Sequence, residues 1–189
     1  MLRARIETAA RSLTGHRHRI EGRDNEDAFV LCGRGRDFDA AVAVADGMGG
    51  HAAPARAAAE AVAAARETLA GSDRPLAERV HAAVVAANAR VRALATADPK
   101  APGATLTVAL IAGETLYLAR VGDGAAFLAR GERIERLTRT TLLGHTPPEY
   151  LGRADDVAIE THQRLLRPGD RVLLCTDGLL RALGGEPVP

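Results

Sequence analysis

The order of hydrophobic patterns along the chain is the sequence feature that most restricts its fold. Two short apolar runs at residues 28–32 and 40–45, separated by the charged turn GRGRDFD, predict an antiparallel hairpin. Residues 54–69 and 73–95 follow with apolar side chains at helical spacing, and Pro54 suits the first turn of a helix. We therefore expect a hairpin followed by two helices.

Short β-rich runs occupy the chain beyond Pro102. A meander of three strands is predicted by the segments TLTVALIA, ETLYLARVG and AAFLARG, because Gly-containing turns separate them. We expect further strands at VAIETHQ and RVLLCTDG, and a short final helix at GLLRAL. Strands, then two helices, then more strands indicate one α+β domain over residues 1–189 rather than a doubly wound parallel sheet.

The bulk composition excludes several classes of function. The 25 Lys and Arg residues nearly balance the 24 Asp and Glu residues, so charge alone predicts no binding to nucleic acid or to an anionic membrane. Aromatic residues make up only 3% of the chain, which is too few for a base-stacking surface. The apolar runs are far shorter than the roughly 20 residues that cross a bilayer, so we expect no membrane segment.

The two cysteines and the N-terminal residues indicate the cellular compartment of the protein. Cys32 and Cys175 each lie in an apolar run, and two cysteines are too few for a disulfide framework. They are interpreted as buried thiols, which favours a reducing cytoplasm. The first residues, MLRARIETAARSL, lack the uninterrupted apolar region of a secretory signal. A cytoplasmic location is therefore expected.

Acidic residues stand where three predicted strands begin or end. Glu26 and Asp27 precede the first strand, Asp46 and Gly47 end the second, and Asp177 follows the RVLLCT strand. A single Asp before Gly is typical of a turn, but carboxylates gathered at one sheet edge repel one another unless a cation joins them. Oxygen ligands suit Mg²⁺ or Mn²⁺, and the carbonyl of Gly47 could approach an ion closely. The pattern therefore predicts a hard divalent metal site.

The segment DGMGGH at residues 46–51 also permits a different interpretation, a phosphate-binding loop between a strand and a helix. It lacks both the G-x-G-x-x-G spacing of a dinucleotide site and the Gly-Lys-Ser/Thr ending of a P-loop. The carboxylate of Asp46 would also repel a pyrophosphate. A nucleotide-binding protein stays as the weaker alternative, which ATP- or NAD-induced thermal shifts would reveal.

Six short motifs follow one another between residues 25 and 179. They are NEDAF at 25–29, VADGMGGH at 44–51, GATL at 103–106, VGD at 121–123, PGD at 168–170 and CTDGL at 175–179. In this order the motifs resemble those of the metal-dependent protein phosphatases, the type 2C or PPM serine/threonine phosphatases in their bacterial form. The resemblance runs from about residue 14 to residue 183.

This resemblance implies an α-β-β-α sandwich, in which two antiparallel sheets pack face to face with helices outside. It implies two Mn²⁺ or Mg²⁺ ions in a cleft at one edge, with Asp46 bridging both, the Gly47 carbonyl on one and Asp177 on the other. Glu26 and Asp27 would hold metal-bound waters, and Glu26 would further anchor the ion at Asp46. The implied reaction is direct hydrolysis by a metal-activated water, so neither cysteine is a nucleophile.

Further residues receive roles beside the metal ligands. His51 is a candidate general acid toward the leaving alkoxide, or else a residue that fixes the glycine loop. Arg23 is a candidate phosphate clamp, because a guanidinium can hold two phosphate oxygens. His16 and His18 are interpreted as surface residues, and Asp123 as a turn residue that supports the cleft.

The sequence departs from the family pattern at several positions. Gly22 stands where the family has an arginine, so Arg23 comes one residue late. The usual Gly-Asp-Ser-Arg is GDGA at residues 122–125, which removes a hydroxyl and a guanidinium. Residues 100–102 carry no Asp, where many bacterial members have one for a third metal, and the segment 131–155 is short for the family's flap.

The largest departure concerns the family's last motif. That motif is an Asp-Asn before a closing strand, where it supplies a further metal carboxylate, and the sequence reaches Pro189 without it. We therefore expect a truncated or minimal domain that binds its Asp177 metal weakly.

The resulting hypothesis is Mn²⁺- or Mg²⁺-dependent hydrolysis of phosphoserine and phosphothreonine esters on proteins. The implied partners are a phosphoprotein substrate and a serine/threonine kinase with the opposing activity. The alternative is a catalytically impaired phosphatase-like module that binds and regulates a partner. The set of metal ligands discriminates between the two, because Asp46 and Asp177 are present and the last carboxylate is absent.

Overall fold

The computed structural model describes residues 5–48, 53–71, 73–94, 101–140, 147 and 149–184. These residues form four helices and eight strands. In chain order they are α1 His16–Ile20, β1 Asp27–Cys32, β2 Ala40–Asp46, α2 Pro54–Gly71, α3 Leu76–Arg92, β3 Leu106–Ala112, β4 Thr115–Val121, β5 Ala125–Arg130, β6 Arg133–Arg136, β7 Glu160–Leu165, β8 Arg171–Cys175 and α4 Asp177–Ala182.

The strands make two antiparallel sheets. The first sheet has the order β1-β2-β3-β4-β7, and the second has the order β6-β5-β8. The predicted hairpin is confirmed as β1 and β2, which pair from Asp27 opposite Asp46 to Cys32 opposite Ala41. Each strand is one residue longer than the hydrophobic pattern predicted, because the ladder includes the pair of Asp27 and Asp46.

Two helices cover one face of the first sheet, as predicted. Alanines of α2 such as Ala57, Ala58 and Ala61 are fully buried, and their small side chains let the helix approach the sheet and α3 closely. The prediction placed the start of α3 three residues too early, because Pro75 is extended with ψ 142° and the helix begins after it at Leu76.

The prediction of a three-stranded meander is wrong in its third strand. Strands β3 and β4 form a hairpin, but the other neighbour of β4 is β7, and β5 pairs with β6 and β8 in the second sheet. The chain changes sheets at a tight turn where Gly122 has φ +94°. Ala126 and Leu128 of β5 then pack toward the first sheet, while Ala125 and Phe127 pack on the opposite side.

The two sheets pack face to face and enclose a second apolar core. Leu116 and Leu118 of the first sheet meet Ala126 and Leu128 of the second there. On the far side of the second sheet, Leu180 of α4 packs on Phe127. With α2 and α3 outside the first sheet and α4 outside the second, the α-β-β-α sandwich is confirmed.

Two elements have no counterpart in the sequence prediction. Strand β6 (RIER) is charged and mostly exposed, and α1 (HRHRI) spans five residues and is rich in basic side chains. Neither carries an apolar periodicity that would predict it. In the described ranges no helix has the length and hydropathy needed to cross a bilayer.

Candidate metal centre

Three of the predicted acidic residues meet at one edge of the sandwich. Asp27 begins β1 and Asp46 ends β2, so the hairpin sets these two residues directly opposite each other. Asp177 is the first residue of α4, which follows β8 of the second sheet. Thr176, the residue before it, donates a hydrogen bond from Oγ1 to Oδ2 of Asp27 over 3.3 Å and so joins the two sheets at this edge.

Gly47 lies in a crowded backbone environment beside Asp46. Its amide donates to the carbonyl of Glu26 over 2.9 Å, and it forms an isolated bridge with Ala104. A Cβ at this position would lie 2.1 Å from the carbonyl oxygen of Pro54 and 2.9 Å from that of Glu26. The first residue of α2 therefore excludes any side chain here, a packing reason for glycine that the sequence did not reveal.

The electrostatics of this edge disfavour negative charge. Burial, and after it the charges of the other carboxylates around it, together raise the pKa of Asp46 to about 8. Those carboxylates are Asp27, Asp177, Asp123 and Glu26. Burial also raises the pKa of Asp27, against a lowering effect of the Thr176 hydrogen bond.

Asp123 belongs to this group, although its sequence context indicated only a turn. It is 9% exposed, and burial followed by the charge of Asp177 raises its pKa. Its signal in the sequence is the same as that of Asp46 and Asp177, an Asp before Gly at the end of an apolar strand. We name the five residues Glu26, Asp27, Asp46, Asp123 and Asp177 the carboxylate cluster.

The residues of the carboxylate cluster fit a divalent cation by their chemistry. They offer oxygen donors only, and a bound cation would relieve the unfavourable charge that raises the pKa of Asp46. Within the described ranges, no three His, Cys, Asp or Glu side chains converge on a point where they could ligate one ion together. Mg²⁺-type ions commonly take one or two carboxylates and keep several waters, so this looser arrangement is compatible with them.

The two residues that were predicted to act on the substrate have different outcomes. Arg23 is 39% exposed and pairs through Nη2 with Oε1 of Glu26 over 2.7 Å, so it lies beside the cluster with a carboxylate partner. His51 lies outside the described residues. The structure adds a basic residue that the sequence prediction missed, because Arg181, one helical turn after Asp177, approaches its Oδ2 to 2.6 Å.

Comparison with known proteins agrees with this fold. The family model for Protein phosphatase 2C matches residues 14–188. The serine/threonine protein phosphatase PstP of Mycobacterium tuberculosis is 33% identical over 87% of the chain, and the chain spans about a third (35%) of the length of that relative.

Solved structures resemble the chain as well. The crystal structure of the M. tuberculosis phosphatase PstP/Ppp is 31% identical, with a TM-score of 0.68 over 82% of this chain and 73% of that one. The catalytic domain of PstP in complex with two manganese ions is 30% identical, with a TM-score of 0.67 over 90% of this chain and 75% of that one. From the family match, the identity and the sandwich with its carboxylate cluster, the chain belongs to the protein phosphatase 2C family.

Proposed function

We propose that the chain hydrolyses phosphoserine and phosphothreonine esters on proteins with the help of Mn²⁺ or Mg²⁺. The observation that carries this proposal is the carboxylate cluster, in which burial and four neighbouring carboxylates raise the pKa of Asp46 to about 8. The similarity to PstP, named a serine/threonine protein phosphatase and solved with two manganese ions, supports both the reaction and the metal.

The proposed roles of the metal-binding residues rest on the resemblance of their motifs to those of the family. Asp46 would bridge two ions, the Gly47 carbonyl would hold one and Asp177 the other. Glu26 and Asp27 would add hydrogen bonds that orient water at the centre. When bound, the ions supply Lewis-acid activation of a water and neutralise charge on the phosphoryl oxygens.

Arg23 and His51 would act on the substrate itself. The Arg23 guanidinium, which donates to Glu26 through Nη2, would grip the phosphate through two further hydrogen bonds. His51 would pass a proton to the leaving alkoxide. The nucleophile is water, because Cys175 is buried with a pKa of about 11 and therefore stays a thiol at neutral pH.

The proposed partners are a phosphoprotein and the serine/threonine kinase that phosphorylates it, in the cytoplasm. The formal charge of +1 supports a protein substrate over nucleic acid or an anionic membrane. We find no observation that favours the alternative of a catalytically impaired binding module.

The test is hydrolysis of a small aryl phosphate and of a phosphothreonine peptide, with Mn²⁺ and with EDTA. We expect turnover with Mn²⁺, none with EDTA, and none for Asp46→Asn. Asp24→Asn is the matched control, because Asp24 is an exposed carboxylate close by in the sequence and outside the carboxylate cluster. Turnover that survives chelation, or an active Asp46→Asn variant, would contradict the proposal.

Calorimetric titration with Mn²⁺ tests the proposed difference between the two ions. Asp177 already has a cationic partner, since Arg181 lies 2.6 Å from its Oδ2, so we expect the Asp177 ion to bind in the millimolar range and the Asp46 ion more tightly. A competition that costs about 1.4–3 kcal/mol corresponds to a weakening of roughly tenfold to more than a hundredfold. Two equally tight micromolar sites would contradict this part.

A further inference from the structure

A buried arginine lies next to the turn that carries Asp123. Arg120 is near the end of β4 and is 6% exposed. Its Nη1 donates to the carbonyl oxygen of Gly124 over 2.9 Å, and its Nη2 lies 2.5 Å from Oε2 of Glu160. One planar guanidinium thus holds the far side of the turn and the first residue of β7 at the same time.

The turn itself has little freedom to move sideways. A Cβ at Gly122 would lie 2.6 Å from Cγ2 of Thr105, and a Cβ at Gly124 would lie 2.7 Å from Oγ1 of Thr107. Both glycines therefore press against the chain at and just before β3. Asp123 lies between them, and Thr105, against which Gly122 packs, is joined to the backbone of Asp46 by hydrogen bonds of 2.8 and 3.2 Å. The position of the turn consequently sets the position of one carboxylate of the cluster.

Glu160 is in turn fixed by contacts of its own. Its Oε1 accepts the amide of Arg139 over 2.8 Å and lies 2.6 Å from Nε2 of His162. The Glu160 side chain is 13% exposed, so this carboxylate is held in place largely away from solvent. The guanidinium of Arg120 thereby has a rigid anchor on the edge strand of the first sheet.

A buried ion pair is a poor source of stability in general. The cost of removing two charges from water commonly offsets their attraction, and an apolar pair of similar volume is often as stable. We therefore ascribe a positional role to this pair, because the guanidinium that contacts Glu160 also donates to Gly124 in the turn that carries Asp123.

We propose that Arg120, anchored by Glu160, is a positioning residue that holds the Gly122–Gly124 turn so that Asp123 stays in the carboxylate cluster. The link to metal binding rests on the proposed function. The effect of Arg120 on the turn is independent of the proposed function and can be measured in the metal-free protein.

The test compares Arg120→Met and Arg120→Lys with Arg79→Met as the matched control. Arg79 is likewise buried, at 2% exposure, and pairs with Asp37 through two hydrogen bonds of 2.8 and 2.7 Å, but it lies at the start of α3 in the helix layer. Lysine at position 120 can still meet Glu160, but it lacks the fork that reaches Gly124 as well. The Arg120→Lys variant therefore shows whether the hydrogen bond to Gly124 matters when the ion pair with Glu160 is kept.

Two quantities are measured. The first is hydrogen exchange of a peptide spanning residues 121–126 in the metal-free protein, which we expect to accelerate about tenfold in both Arg120 variants and not in Arg79→Met. The second is Mn²⁺ affinity by calorimetry, which we expect to fall about fivefold to tenfold in both Arg120 variants. Arg79→Met should lower the melting temperature and leave both quantities unchanged.

Each outcome decides the proposal. Unchanged exchange in folded Arg120→Met and Arg120→Lys overturns it, as does an equal change in Arg79→Met. If Arg120→Met does not fold, Arg120→Lys and Glu160→Gln give the same comparison. If the unaltered chain binds no Mn²⁺, the proposed function fails, and the exchange measurement still supports or overturns the role of Arg120.

Discussion

Asp27 and Asp46 form the last residue pair of the β1–β2 ladder, directly opposite each other across two antiparallel strands. Like charges opposite each other destabilise a sheet. Here the pair is also partly buried, and both carboxyl groups have raised pKa values. A proton or a cation at this edge would remove that cost, so the proposed metal binding would be coupled to stability through these two residues.

The metal-free protein should lose stability as the pH rises from 5 to 8. The pKa of Asp46 is about 8 in the folded chain, far above its range in an unfolded chain, and those of Asp27 and Asp123 are also raised. The folded state therefore binds more protons than the unfolded state across this interval, and stability falls as they are released. Melting temperatures in EDTA at four pH values measure this, and a flat or rising profile would contradict it.

Asp46→Asn should stabilise the metal-free protein at pH 8 while abolishing hydrolysis. The amide keeps the shape of the carboxyl group without its charge, so we expect a gain of about 1–2 kcal/mol. For a domain of this size the melting temperature rises by about 2–4 °C per kcal/mol. Asp177→Asn should keep more activity, because a residue at one ion affects the centre less than a bridging one. Equal loss of activity in both variants would refute the bridging role.

Gly47→Ala should destabilise the fold by about 1–3 kcal/mol, since the new methyl would meet the Pro54 carbonyl at 2.1 Å. Gly71→Ala is the control, because a Cβ at the end of α2 has no heavy atom within 4 Å. Chemical denaturation of both variants gives the comparison. Equal stabilities would show that α2 can move away from Gly47 at no cost.

Cys175→Ser should keep measurable hydrolysis, and treatment of the unaltered protein with iodoacetamide at pH 8 should leave Cys175 unmodified. The thiol is 6% exposed and its pKa is about 11, so only about one molecule in a thousand carries a thiolate at pH 8. Peptide mass analysis and an activity assay measure the two effects. A folded, metal-binding Cys175→Ser variant without activity would contradict hydrolysis by water.

Asn88→Ala should lower stability by about 1–3 kcal/mol, because it removes three hydrogen bonds at a side chain that is 3% exposed. Asn88 Nδ2 donates to the carbonyls of Ala154 and Asp155, and its Oδ1 accepts the amide of Gly152. His81→Ala on the exposed side of α3 is the control. Thermal unfolding that is the same for both variants would show that α3 does not depend on this contact.

Local sequence patterns were sufficient to predict the hairpin, the two long helices and three of the acidic strand ends. An alternation of apolar residues or a helical spacing acts over a few neighbours, so β1, β2, α2 and α3 were predictable without knowing the rest of the chain. The position of Asp46 and Asp27 at one edge follows from the hairpin, because antiparallel pairing sets its first and last residues opposite each other.

Tertiary structure alone decided which sheet receives β5 and what surrounds Asp123. The AAFLAR segment fits either sheet by its pattern, and its partner β8 comes some forty residues later, so pairing depends on packing of both faces. The acidic strand ends and the elements that carry them were predictable from the local sequence. Only the packed sandwich brought Asp123, Asp177 and the guanidinium of Arg120 to the same edge, because burial and contacts between distant segments exist only after the two sheets meet.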